Sequence, residues 1–278
     1  MFADDLNVMQ SYDRLDDNEA IRLEMDRCRA AVHSWGRKNR VSFDAAKEHV
    51  VILHPIHGDG DPVKLLGCLI DCKLLMNHGI ENILSRMRPK TKALLRLRGH
   101  YPVKELLNQF KTHIWGLVEY QNGAIFHASS YLLQKLDRVQ QHFLDEIGID
   151  AKTAFLECNF APLVLRRNIG ILGLLHKRVL GLAHPVFQRL LPFHADIFHE
   201  QREGRHNRQL YWHYLEVQFQ RSLFQRSIFS MCGTYNTLSQ ELIDSPSVSI
   251  FQAGLTALAK AECQDGNPNW HDCFSCRH

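Results

Sequence analysis

The sequence predicts an α+β fold that is mostly α. Three observations lead there. Apolar residues recur at helical spacing through most of the chain beyond residue 74. Strand-like character is confined to the stretch before it. At 45% hydrophobic and 9% aromatic, the 278 residues can bury a core and do not read as disordered. That length allows one large domain or two or three small ones.

The first helix is expected from Asp16 and Glu19, a plausible capping pair. Ile21, Met25, Cys28, Val32 and Trp35 follow at alternating spacings of four and three, giving one apolar face, and Gly36 is its natural stop. Val50, Val51, Ile52 and Leu53 then read as a strand, "HGDGD" as a turn, and "PVKLLGCLID" as the second strand of a hairpin. Beyond Leu74, Ile80, Ile83, Leu84 and Met87 form a helical stripe that Leu94, Leu95 and Leu97 continue. Pro89 between them should kink or split that helix. Further helices are expected near 102–117, 129–146, 162–182, 209–230 and 247–263, with a loop or boundary at 199–209 and no repeat of fixed period.

Charge is uneven although the net value is only +3. Residues 1–30 carry eight acids against four arginines. Residues 86–104 hold Arg86, Arg88, Lys90, Lys92, Arg96, Arg98 and Lys104 and no acid. Such a segment can follow a nucleic-acid backbone by its phosphates without reading sequence; the alternative is a solvated helix face. Arg166, Arg167, Lys177 and Arg178 flank an apolar run and read as the charged ends of a buried helix. Eight scattered cysteines without a secretory signal favour reduced thiols and an intracellular protein, in nucleus or cytoplasm. The longest apolar run is broken by His176, Lys177 and Arg178, so no membrane span is expected.

Two groups could hold metal. Asp4 and Asp5 in "FADD" offer hard oxygen ligands suited to Mg²⁺. Cys273 and Cys276 have a C-x₂-C spacing that suits zinc, with Cys263, His271 and His278 nearby in sequence. Their spacing fits no common finger or knuckle, so unpaired thiols are the simpler expectation.

The order of these pieces resembles the second half of a reverse transcriptase palm, as found in non-LTR (LINE-type) retrotransposons. "FADD", a helix, "FDAAKE" and "LLGCLID" carry the likeness. "NFAPLVLRRNIGILGLLHKRVLG" and "TYNTLSQELIDSPSVSIFQAGL" extend it, with Ser239 where proline is usual. The resemblance implies that Asp4 and Asp5 are Mg²⁺ ligands at Phe2–Ala3–Asp4–Asp5 and that Lys47 lies near the nucleotide phosphates. It makes Leu66, Gly67, Ile70 and Asp71 the primer grip. It divides the chain into a palm remnant (1–75), a thumb-like segment (76–127) carrying the basic stretch, and a helical region of unknown role (128–278).

The activity it implies is RNA-templated DNA synthesis from a primer, with deoxynucleoside triphosphates as substrates. An earlier palm strand with a third aspartate and the fingers are not in this sequence. The expectation is therefore a C-terminal fragment, inactive alone. A non-catalytic nucleic-acid-binding helical module, a structural or interaction protein, and a pseudogene product remain as alternatives.

Overall fold

The computed structural model describes residues 6–12, 17–198, 206–211 and 223–276, and the structural statements below concern those residues. The chain is mostly helical with a single two-stranded antiparallel hairpin, an α+β fold that is mostly α. It divides into two compact units, Met1–Leu65 with Ile70–Leu74, and Leu66–Leu69 with Leu75–His278.

In the first unit, helix α1 runs Asn18–Asn39. Its N-cap is Asp17, whose carboxylate accepts from the Ala20 amide at 2.7 Å, one residue later than the expected cap. The helix does not stop at Gly36. It continues to Asn39 and ends on Arg40 in the left-handed region, φ 57°. Gly36 is small for a different reason: the chain folds back over it, and a Cβ there would lie 2.7 Å from the Val41 carbonyl and 2.8 Å from the Phe43 ring. Of the expected apolar stripe, Ile21 is buried and Met25, Cys28 and Val32 are half-buried, but Trp35 is 56% exposed.

The expected strand over Val50–Leu53 reduces to one isolated bridge between Ile52 and Asp59. In the turn between them the Gly58 amide donates to the His54 carbonyl at 2.9 Å, and side chains add to it. His54 Nδ1 accepts from the Ile56 and His57 amides, and Arg22 of α1 donates twice to Asp59, at 2.5 and 3.0 Å. Lys47 does not enter a strand; it ends a single 3₁₀ turn, Ala45–Lys47, with its side chain 84% exposed beside Asp44.

The hairpin lies later than expected. Strands β1 (Val63–Leu65) and β2 (Cys68–Ile70) are joined by the two residues Leu66 and Gly67. Both have positive φ, 47° and 86°, as a type I′ hairpin turn requires. "PVKLLGCLID" therefore holds both strands, not one.

The second unit is built on two apolar clusters. Helix α2 (Asn77–Arg96) runs unbroken through Pro89. Ser85, whose carbonyl loses its helical donor to the proline ring, is exposed, so water can satisfy it. Helix α3 (Val103–Phe110) passes into a π-helical turn over Lys111–Trp115 and a short helix α4 (Gly116–Glu119), with α5 (Asn122–Ile125) after it. The π turn puts Ile114 and Trp115 both into the interior. Lys111 reaches from it to donate to the Cys158 carbonyl at 2.6 Å, at the end of helix α7 (Ala151–Cys158).

Helix α6 (Ser130–Ile147) is capped by Ser129 and packs along α2. Phe110, Phe143, Phe160 and Trp115 pack together at the centre of this first cluster, with ring centroids 4.6, 5.4 and 5.0 Å apart in the pairs 110–143, 110–160 and 115–160. The cluster runs from Met76 to Leu163, across residues 127 and 128.

Helix α8 (Leu163–Val179) joins the two clusters, and a short run follows: α9 (Pro185–Leu190) and α10 (His194–Phe198). The expected helix over 209–230 falls largely outside the described residues. Where its ends are described they differ: Leu210 bridges Phe193 as extended chain, and Ile228–Ser230 is a 3₁₀ turn. Leu210 is held there by Asn236, which exchanges two hydrogen bonds with its backbone at 2.8 and 2.9 Å. Helices α11 (Met231–Asn236), α12 (Gln240–Ile243) and α13 (Val248–Gln264) complete the second cluster, with α13 packed along α8.

At its centre His176, fully buried, bonds Tyr235 Oη and the Ser245 carbonyl, both at 3.0 Å, and stacks on Phe251. No helix among the described residues is long and apolar enough to cross a membrane.

Candidate nucleic-acid interface

The basic residues of 86–104 do not share one side of a helix. All seven are exposed, but the buried positions of α2 (Ile80, Ile83, Leu84, Met87, Thr91, Leu94) divide them into two flanks. Arg88, Lys92 and Arg96 fall four residues apart on one flank, forming a single row. Arg86 and Lys90 form a shorter row on the other, where Lys90 donates to the His113 carbonyl at 3.3 Å. Lys104 belongs to α3, and Arg98 lies just past the end of α2.

What faces the longer row is fixed by two ion pairs between α2 and α6. Glu81, seven residues before Arg88 and on the same flank, accepts from Lys135 at 2.8 Å. Arg98, at the other end, donates to Glu146 at 2.8 Å. The pairs require α2 and α6 to run in the same direction with these flanks adjacent. On α6 the positions between Lys135 and Glu146 in the same row are Arg138 and His142, both exposed.

The surface between the two clamps therefore collects Arg88, Lys92 and Arg96 from α2 with Arg138 and His142 from α6. The nearby acids have partners of their own. Asp137 is turned to Arg167, which holds both its oxygens at 2.7 and 2.8 Å, and Asp145 accepts from Gln141 at 2.7 Å. Lys135 holds the Glu81 carboxyl below its ordinary range, with a smaller contribution from Arg88, so Glu81 stays ionised and keeps Lys135 in place. The result is a strip of exposed basic side chains in which, among the described residues, Asp137 and Glu146 are ion-paired, while Asp145 is bonded to a neutral amide and keeps its charge.

The expected catalytic and grip residues are not brought to this strip. Asp4 and Asp5, with Phe2 and Ala3, lie outside the described residues. Lys47 is on an exposed turn of the first unit. Leu66 is 72% exposed at the hairpin tip, with Gly67 beside it, while Ile70 is half-buried and Asp71 buried at 8%. Tyr120 donates to the Leu66 carbonyl at 2.8 Å, and its ring lies 3.7 Å from where a Gly67 Cβ would be.

Cys273 and Cys276 pack against the second cluster. Burial pushes the Cys273 thiol up to about 11, and the Cys276 sulfur sits 2.9 Å from Ser230 Oγ. Cys263 is buried within α13. Among the described residues no three His, Cys, Asp or Glu side chains converge to hold a metal ion. Of the second basic set, Arg166 pairs with Glu119 and lies over the Trp115 ring, Arg167 is buried on Asp137, and Arg178 donates to the Leu191 carbonyl at 2.9 Å.

Lys135, Arg138 and His142 form no basic run in the sequence because Asp137 lies among them and Asp145 and Glu146 follow closely. Their spacing of three and four was the available signal. No family model, no curated protein and no solved structure matches the chain.

Proposed function

We propose that the chain binds the phosphate backbone of a nucleic acid through the α2–α6 strip, as the thumb of a reverse transcriptase-like protein would. The observation that carries this reading is the alignment of Arg88, Lys92, Arg96, Arg138 and His142 between two cross-helix ion pairs, with the neighbouring acids already engaged. Cations arranged along a surface displace the counterions of a polyanion, and such contact is insensitive to base sequence.

The position of the strip supports the thumb assignment: α2, which carries Arg88, Lys92 and Arg96, is the first helix after the β1–β2 hairpin, as the family order expects. In this reading Leu66, Gly67, Ile70 and Asp71 descend from a primer grip. Asp4 and Asp5 are the Mg²⁺ ligands of the polymerase, which copies an RNA template onto a DNA primer from deoxynucleoside triphosphates. The 278-residue chain by itself binds without extending a primer.

Two measurements on the purified chain test this. Fluorescence anisotropy with a labelled oligonucleotide should show affinity that falls steeply and linearly in log–log form with salt. A primed template with Mg²⁺ and deoxynucleoside triphosphates should give no extension. Absence of binding at low salt would favour an interaction or structural protein instead, and extension would establish a polymerase in the chain as it stands.

A further inference from the structure

The cationic row of α6 begins with an aromatic residue. Tyr131 lies four residues before Lys135, seven before Arg138 and eleven before His142, which places it on the same face. Its side chain is 64% exposed. Isolated exposed aromatics are common on protein surfaces and need no explanation. Two features set this one apart.

The first is its fixation. Lys135 Nζ lies 5.4 Å from the Tyr131 ring centroid while the same ammonium bonds Glu81 at 2.8 Å. Glu81, Lys135 and Tyr131 thus form a chain of contacts from α2 to the ring, which limits the orientations the ring can take. An aromatic held in advance loses less entropy when something stacks on it. The second is its company. Of the other exposed tyrosines, Tyr120 spends its hydroxyl on the Leu66 carbonyl and has no place in a basic row, and Tyr101 lies past the end of α2, beyond Arg98. Tyr131 is followed along the helix axis by Lys135, Arg138 and His142 at about 6, 10 and 16 Å, at 1.5 Å per residue.

Phosphate-binding cations and an open aromatic on one face are the two components of single-strand recognition. Cations track the backbone while a base, freed from its partner strand, stacks on the ring. In a continuous duplex the bases are stacked on each other and offer Tyr131 no face. We infer that the strip takes single-stranded nucleic acid in preference to duplex, with one base stacked on Tyr131 and the adjoining phosphates on Arg138, Lys92 and Arg88. This rests on the backbone-binding reading above but not on the thumb assignment, which calls for a primer–template duplex; the duplex arm of the test decides between them.

The test uses the full chain with a fluorescein-labelled 12-nucleotide strand, as RNA and as DNA, and with the blunt duplex of the same sequence, all at one low salt concentration. Wild type should bind the single strand at least several-fold more tightly than the duplex. Tyr131→Ala should weaken single-strand binding about tenfold or more, the typical effect of losing one stacked base. It should leave duplex affinity and the salt slope unchanged. Tyr131→Phe, which keeps the ring, should bind like wild type.

Equal loss of single-strand and duplex affinity in Tyr131→Ala would overturn the stacking assignment, as would no loss at all or a duplex bound as tightly as the strand. Those results leave backbone binding standing. No binding of any form by wild type would remove both readings together. Tyr131 is on the surface, so circular dichroism of the variants should match wild type; a variant that fails this check is replaced by Tyr131→Gln, for which the same outcomes apply.

Discussion

The hydroxyl of Tyr120 donates a hydrogen bond to the main-chain carbonyl of Leu66 at 2.8 Å. The acceptor belongs to the tip of the β1–β2 hairpin and the donor to the turn between α4 and α5. Gly79 of α2 also lies against this segment: a Cβ there would be 2.8 Å from the Leu69 carbonyl. A two-stranded hairpin is marginal by itself, and these contacts give its second half something to rest on.

Tyr120→Phe should therefore lower the protection of the hairpin amides in hydrogen exchange, at a cost of about 0.5–1 kcal/mol for one exposed hydrogen bond. Leu66→Asn should act in the opposite direction. Leucine at φ 47° is strained, whereas Asn–Gly suits a type I′ turn, so the hairpin should gain about 1 kcal/mol. Protection unchanged in both variants would mean that the tip is not anchored as described.

Arg167 is 5% exposed in its side chain and Asp137 29%. Removing one member of such a pair strands the other charge. Asp137→Asn should cost about 3 kcal/mol of unfolding free energy, read from the denaturant midpoint. The paired substitution Asp137→Leu with Arg167→Met should recover much of that loss. If Asp137→Asn is neutral, the pair does not hold α6 to α8.

His176 gives the second cluster a dependence on acid. Because the Ser245 carbonyl can only accept, Nε2 carries the proton and Nδ1 accepts from Tyr235. Burial holds the imidazole below its ordinary value of 6.5, with Arg208 adding to the effect. In the unfolded chain the ring takes up a proton near pH 6.5, while in the folded chain it resists doing so to lower pH. The unfolded state thus binds more protons in this window, and stability falls as pH drops through 6.5. His176→Gln, which retains one donor and one acceptor, should be less stable at pH 8 but lose less stability between pH 7 and 5. An unchanged slope would remove His176 as the source.

Helices with strong apolar spacing were readable: the expected 129–146, 162–182 and 247–263 correspond to Ser130–Ile147, Leu163–Val179 and Val248–Gln264. What misled were residues whose role is set by distant chain. Gly36 carries a helix-stop signal, yet its lack of a side chain serves the return of Val41 and Phe43. Val50–Leu53 has the composition of a strand, but Arg22 and His54 shape the following turn so that only Ile52 pairs. Leu66 is apolar yet lies exposed in the turn, where the carbonyl it offers Tyr120 is what the fold uses.

The strip itself was half legible. Seven cations in 86–104 announced a basic surface, but which of them act together depends on the helical phase set by Met87, Thr91 and Leu94. Their partners on α6 emerge only when Lys135–Glu81 and Arg98–Glu146 bring the helices into register.

The central claim is that this row, and not basic charge in general, contacts phosphate. The most direct measurement is the salt slope of oligonucleotide binding for Arg88→Gln/Lys92→Gln/Arg138→Gln against the control Arg86→Gln/Lys90→Gln. Each phosphate contact on a single strand contributes about 0.7 to the slope of log Kobs against log salt. The account predicts a slope shallower by about 2 in the triple variant and little changed in the control. Equal slopes in the two variants, or a larger fall in the control, would contradict it.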